Sequence, residues 1–107
     1  MTNSHPLFRL DNKITLITGA SRGIGASIAK LFAQQGSTVI ISSRKQSSLD
    51  ELAKQLKQQD IEVTPMACHI GDPKSVNQLI NQIEKRFGGI DILINNAATN
   101  PFFGELL

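Results

Sequence analysis

The sequence predicts an α/β protein on a doubly wound parallel sheet, truncated after about four strands. Three observations carry this prediction. Short β-branched runs alternate with amphipathic helical segments in the order β-α-β-α-β-α-β. The connections are short, with no linker, internal repeat or low-complexity tract. Glycines at positions 19, 23 and 25 separate the first strand from the first helix. Right-handed crossovers then place helices on both faces of the sheet.

Each element has its own signature. Met1–Pro6 is expected to be a loose terminus, and Leu7–Leu10 to cover a sheet edge. Lys13–Thr18 is a short apolar and β-branched run suited to a buried parallel strand. A helix over about Ile24–Gln35 has an apolar stripe of Ile24, Ile28, Leu31 and Phe32, with Gly36 as a left-handed C-terminal cap. Thr38–Ser42 reads as the second strand. Ser48 and Glu51 suggest a capping box for a helix over about Leu49–Gln58, burying Leu49, Leu52, Ala53 and Leu56. A third strand is expected over about Glu62–Cys68, where Pro65 argues for a sheet edge. Asp72 and Pro73 mark a helix start, and Val76, Leu79, Ile80, Ile83 and Phe87 supply that helix's apolar face. Gly88 and Gly89 end it, and Ile90–Asn95 is the fourth strand.

Composition bounds the function. The chain has 107 residues, at most one domain, with 40% hydrophobic and 19% charged residues, as in an ordinary soluble protein. A net charge of +2 and an aromatic content of 5%, all Phe, argue against a nucleic-acid or membrane-surface partner. The single cysteine, Cys68, rules out an intrachain disulfide and reads as a small core residue. No signal-peptide pattern and no apolar run of transmembrane length occur, so a cytoplasmic location is expected. His5 and His69 are not placed to make a metal site.

The glycine turn carries the chemistry. Gly19 suits a tight turn off the strand, Gly23 a close approach of backbone to a pyrophosphate, and Gly25 close packing of helix on strand. The helix that follows points free N–H groups and the positive end of its dipole at that phosphate. The motif Thr18-Gly-Ala-Ser-Arg-Gly-Ile-Gly25 resembles the Thr-Gly-x-x-x-Gly-x-Gly pattern of the short-chain dehydrogenase/reductase family, oxidoreductases that use NAD or NADP. Asn95-Asn96-Ala97-Ala98 is similar to that family's Asn-Asn-Ala-Gly, with Ala98 as a small-for-small departure. The resemblance runs from about Leu7 to the end. It implies a Rossmann-type fold with strand order 3-2-1-4, with residues 1–107 forming the N-terminal portion of one NAD(P)-binding domain.

The resemblance assigns cofactor contacts to Gly19, Ser21, Arg22, Gly23, Ile24 and Gly25 in the loop. It also assigns Ser43 and Arg44 after strand two, His69 and Ile70 after strand three, and Asn95, Asn96 and Ala97 after strand four. NAD binders place an acid at the end of strand two to bind the ribose 2′-hydroxyl. Here Ser42-Ser43-Arg44-Lys45 contains none, and Arg22 and Arg44 suit a 2′-phosphate, so NADP is favoured over NAD. His69 stands where the family carries an Asp that holds the adenine amino group. It either accepts that hydrogen bond as a neutral imidazole or is simply a partly exposed strand-end residue. Asn95 lines the cofactor ribose or only ties the sheet together. Asp91 is expected to stabilise the sheet and the adenine wall.

The family's tyrosine, lysine, serine and second asparagine, which protonate and orient the reacting carbonyl, lie beyond the Asn-Asn-Ala-Gly motif. This chain has no tyrosine, so no catalytic residue is named and the chain alone is expected to be inactive. An open edge on strand four also suggests part of something longer. Ser-Ser-Arg-Lys together with Asn-Asn-Ala-Ala-Thr-Asn-Pro-Phe-Phe-Gly is similar to the NADPH-dependent carbonyl and retinol reductase branch. Phe102 and Phe103 then face substrate or pack a helix. The leading expectation is the cofactor-binding half of an NADP-dependent oxidoreductase of carbonyl or alcohol substrates, homo-oligomeric at full length. A catalytically inactive nucleotide-binding remnant is the alternative. A methyltransferase or other glycine-loop protein is disfavoured by Arg22, Arg44 and the Asn-Asn-Ala motif.

Overall fold

The computed structural model describes residues 9–96. Met1–Phe8 and the segment from Ala97 to Leu107, with Ala98, Phe102 and Phe103, lie outside the described residues. Seven elements follow in order: β1 (Ile14–Thr18), α1 (Gly23–Gln34), β2 (Thr38–Ser42), α2 (Gln46–Lys57), β3 (Thr64–Pro65), α3 (Pro73–Phe87) and β4 (Ile92–Asn95). The sheet is parallel, with strand order β3-β2-β1-β4. β1 is central, pairing Ile14–Thr18 with Thr38–Ser42 on one side and Thr15–Thr18 with Ile92–Asn95 on the other.

Strand alternation divides the core into two layers. Ile17, Val39 and Ile41 pack under α1 and α2 with Ala29, Leu49, Leu52 and Leu56. Leu16 and Ile40 face the other way, against Val76, Leu79 and Ile83 of α3. Both faces of β1 and β2 are therefore dry, which is why these strands are continuous apolar runs rather than alternating ones. Fully burying each of Leu16, Ile17, Ile40 and Ile41 contributes about 1.5–3 kcal/mol. Ile92, Leu93 and Ile94 of the outer strand β4 are only half-buried.

Five elements differ from the sequence expectation. The buried face of α1 is Gly25 and Ala29, while Ile24 is 72% and Leu31 53% exposed. The helix lies too close to the sheet for large residues at the line of contact, so Ile28 and Phe32 pack at its flank. α2 begins three residues early, at Gln46, with Lys45 as N-cap and no side-chain cap, so Ser48 lies within the helix and forms no capping box. β3 is two residues long. Pro65 supplies no N–H, and the edge position expected from it is the one observed. β1 and β4 start one and two residues late.

Helix ends otherwise follow their signals. Asp72 Oδ1 accepts the Lys74 N–H at 3.1 Å, Pro73 opens α3, and Gly88 closes it with φ 91°. Gly36, with φ 99°, follows α1 and sits against the Asp11 carboxylate. Arg9 binds that carboxylate at 2.6 Å and holds it below the usual aspartate range. The Leu10 N–H donates to the Gln35 carbonyl at 2.7 Å, strapping this segment to the end of α1.

Candidate functional site

All the sequence-predicted site residues within the described region lie at the C-terminal ends of the four parallel strands. This is the edge of an open α/β sheet where ligands bind, at the point where strand order reverses beside β1. Backbone hydrogen bonds tie the segments that follow the four strands together. The Ala20 N–H donates to the Ser42 carbonyl at 3.2 Å, the Cys68 N–H to the Ser43 carbonyl at 2.9 Å, and the Asn96 N–H to the Thr18 carbonyl at 3.3 Å.

The loop between β1 and α1 has the geometry its composition requires. Gly19 and Gly23 both take left-handed conformations, with φ 64° and 63°. Space around Gly23 is open, so its backbone angle alone demands glycine there. Gly25 is constrained differently. A Cβ there would fall 2.7 Å from the Gly19 carbonyl oxygen and 2.8 Å from both Ala20 Cα and Asn96 Nδ2. Helix, turn and the end of β4 therefore meet at Gly25 with no room for a methyl group.

The N-terminus of α1 suits an anion. Arg22 is its N-cap in extended conformation, no side chain caps the helix, and the first turn carries no acid. The N–H groups of that turn have no capping acceptor, and the dipole favours negative charge there. Ser21 is half-buried in the loop, while the Arg22 and Ile24 side chains are exposed. An uncapped helix start, an open left-handed glycine and an adjacent arginine fit a phosphate-bearing cofactor.

Ser43 is half-buried and Arg44 exposed just beyond β2. His69 is exposed beyond β3, with its N–H donating to Ser75 Oγ at 2.9 Å, and Ile70 is half-buried on the α3 side. Cys68, 2% exposed, is the core residue its sequence position suggests. Burial pushes its thiol up from the ordinary value, opposed by the Ser75 hydroxyl, which donates to Sγ at 3.6 Å.

At β4, the structure gives both asparagines a scaffolding bond. The Thr18 hydroxyl donates to Asn95 Oδ1 at 2.9 Å, and Asn96 Nδ2 donates to the Gly19 carbonyl at 3.0 Å. Asn95 therefore does tie the sheet, and Asn96 braces the glycine turn. Ala97 lies outside the described residues. Ser42, Thr18 and Asn95 form a polar row across β2, β1 and β4. Ser42 Oγ is fully buried and has no hydrogen-bond partner among the described residues.

Two contributors escaped the sequence reading. One is the Asn96 brace, since asparagine after a strand suggests backbone bonding but not which carbonyl accepts. The other is Gln46, whose amide bonds both Ala67 N–H and Pro65 C=O; a polar residue in a polar stretch carries no sequence signal for that. Among the described residues, no cluster of metal-ligating side chains occurs and no helix is long and apolar enough to cross a membrane.

The site's architecture recurs in known proteins. The short chain dehydrogenase family profile matches residues 13–106. Dehydrogenase/reductase SDR family member 4 of Bos taurus is 45% identical over 98 residues, covering 92% of this chain and 35% of the relative. The crystal structure of 2-keto-3-deoxy-D-gluconate dehydrogenase from Streptococcus agalactiae superposes with a TM-score of 0.81 at 39% identity, covering 86% of this chain and 35% of that one. L-Sorbose reductase from Gluconobacter frateurii, solved with NADPH and L-sorbose, gives 0.78 at 35% identity over 86% of this chain and 35% of that one. The chain thus spans about a third of the length of these relatives. The matched region spans both the glycine turn and the Asn-Asn-Ala segment, and the chain belongs to the short-chain dehydrogenase family.

Proposed function

We propose that this chain is the N-terminal portion of a single NAD(P)-binding domain, in an NADP-dependent oxidoreductase of carbonyl or alcohol substrates. The observation that carries the NADP preference is the end of β2. Residues 42–45 hold no acid, and Arg44 follows Ser43, whose carbonyl is tied to Cys68 in the extension of β3. An acid there would repel a 2′-phosphate; a guanidinium binds it with two parallel hydrogen bonds. The NADPH found with the sorbose reductase is consistent with this reading.

Each residue then has a task. The N–H groups at the start of α1, with Gly19, Ser21, Gly23, Ile24 and Gly25 shaping the approach, receive the pyrophosphate. Arg22 and Arg44, with Ser43, receive the 2′-phosphate. His69 and the Ile70 backbone border the adenine. Asn95, Asn96 and Ala97 border the ribose on the nicotinamide side. The bound cofactor supplies a hydride. The chain has no tyrosine, and we assign no catalytic residue and no carbonyl reduction to these 107 residues alone. A homo-oligomeric, cytoplasmic enzyme belongs to the same reading.

Titrations of NADPH and NADH into wild type and Arg44→Asp test it. The variant is expected to lose about 10- to 100-fold in NADPH affinity, the worth of charge-assisted hydrogen bonds, and much less for NADH. Equal losses for the two cofactors would sink the NADP assignment.

A further inference from the structure

Gln46 makes a set of contacts that neither the helix nor the cofactor reading uses. Along β3 and its continuation, the Met66 and Cys68 N–H groups point inward, to the Ile41 and Ser43 carbonyls at 3.0 and 2.9 Å. Successive residues of an extended strand bond on opposite sides, so Pro65 C=O and Ala67 N–H face the outer edge. Gln46 occupies that edge as a neighbouring strand would. Its Oε1 accepts the Ala67 N–H at 3.0 Å, and its Nε2 donates to the Pro65 carbonyl at 3.4 Å and to Asp50 Oδ1 at 2.8 Å. Gln46 is the first residue of α2, whose start has no side-chain cap; its amide bonds Asp50 one turn along the helix and links that helix start to the outer edge of the strand.

Residues 43–46 are thereby anchored at both ends to one short stretch, residues 65–68, formed by the end of β3 and its continuation. Ser43 is held on the inner edge through its carbonyl and Gln46 on the outer edge through its side chain. Arg44 and Lys45 lie between these anchors, and both side chains are exposed. A long exposed side chain recognises a phosphate well only when its backbone is already ordered, because otherwise binding must meet that entropy cost as well.

We propose that Gln46 is a positioning residue for cofactor selectivity: by clamping the 43–46 turn to β3 it holds Arg44 where a ribose 2′-phosphate is received. The inference rests on the NADP reading above. Without the clamp, Arg44 keeps its charge but loses its fixed starting point. The 2′-hydroxyl of NADH makes no use of that position.

The test uses Gln46→Ala and Gln46→Met, the second keeping the length of the side chain without its hydrogen bonds. NADPH and NADH affinities are read by titration, and amide hydrogen exchange is read without cofactor. The expected result is faster exchange at Ala67 in both variants, unchanged protection at Leu16 and Ile40, about fivefold weaker NADPH binding and less than twofold weaker NADH binding, as for loss of one or two neutral hydrogen bonds. Wild type that fails to prefer NADPH would overturn the NADP reading and this inference with it. A wild-type preference that survives intact in both variants would overturn the inference alone, as would equal losses for the two cofactors. Loss of protection throughout the sheet in both variants would also overturn it, by making Gln46 a determinant of folding.

Discussion

Asp91 and Ile14 exchange two hydrogen bonds across the start of the β1–β4 pair. The Ile14 N–H donates to Asp91 Oδ2 at 2.8 Å, and the Asp91 N–H donates to the Ile14 carbonyl at 2.8 Å. The carboxylate supplies an acceptor for the first N–H of β1, one residue before β4 begins. Register between the two strands is thereby set at one end by Asp91–Ile14 and at the other by Thr18–Asn95. The expectation that Asp91 stabilises the sheet is met by this contact.

Asp91→Ala should therefore lower stability by about 1–2 kcal/mol, at or below the low end of the range for hydrogen bonds to a charged group, because Asp91 is exposed. Urea denaturation measures it. Asp91→Asn, which keeps an acceptor oxygen, should recover part of the loss; an alanine variant as stable as wild type would refute the clamp.

Two glycine substitutions separate two physical demands. Gly25→Ala places a methyl group into backbone and the Asn96 amide, and should cost about 1–3 kcal/mol by overpacking. Gly23→Ala meets no atom and should cost about 1–2 kcal/mol from its left-handed backbone alone. Asn96→Ala would remove one of the Gly25 methyl's clashes but leave the Gly19 and Ala20 backbone, so it should not rescue Gly25→Ala. Full rescue in a double-mutant cycle would contradict this ranking.

Along the polar row, neighbouring hydroxyls should respond oppositely. Thr18→Val breaks the bond to Asn95 and should destabilise by about 1 kcal/mol. Ser42→Ala removes a buried hydroxyl without a partner among the described residues, so stability should stay level or rise by up to about 1 kcal/mol. Thermal or urea unfolding of both variants decides; a clear loss for Ser42→Ala would mean that its hydroxyl is paired.

Cys68 gives a pH dependence with a definite sign. Burial raises the folded thiol above its ordinary value, so the folded state holds its proton more tightly than the unfolded chain. This contribution is fully present below the unfolded thiol value of about 8.5 and is lost as pH rises through the higher folded value. Cys68→Ala should flatten stability over that alkaline window relative to wild type. A disulfide reagent at neutral pH should label native Cys68 more slowly than the unfolded chain; equal rates would contradict its burial.

Much of this protein is written in local sequence. β2 was legible to the residue, since Thr38–Ile41 is a β-branched run suited to a buried parallel strand. The start of α3 was legible because Asp72 and Pro73 act on their own neighbours, and the turn at Gly19 and Gly23 because left-handed backbone calls for glycine. Tertiary structure decided what depends on distance. Leu31 completes a helical stripe yet is exposed, because close approach of α1 to the sheet selects Gly25 and Ala29 for the contact line. Ser48 and Glu51 satisfy a capping pattern, but α2 starts earlier, at Gln46, whose amide is bonded to the edge of β3. Asn96 reaches the Gly19 carbonyl across 77 residues, a pairing set by the strand order rather than by any local pattern. Sequence alone determined which segments form and that their loop suits a phosphate. The fold decided which side chains hold that loop in place, because those partners meet only once the four strands lie side by side.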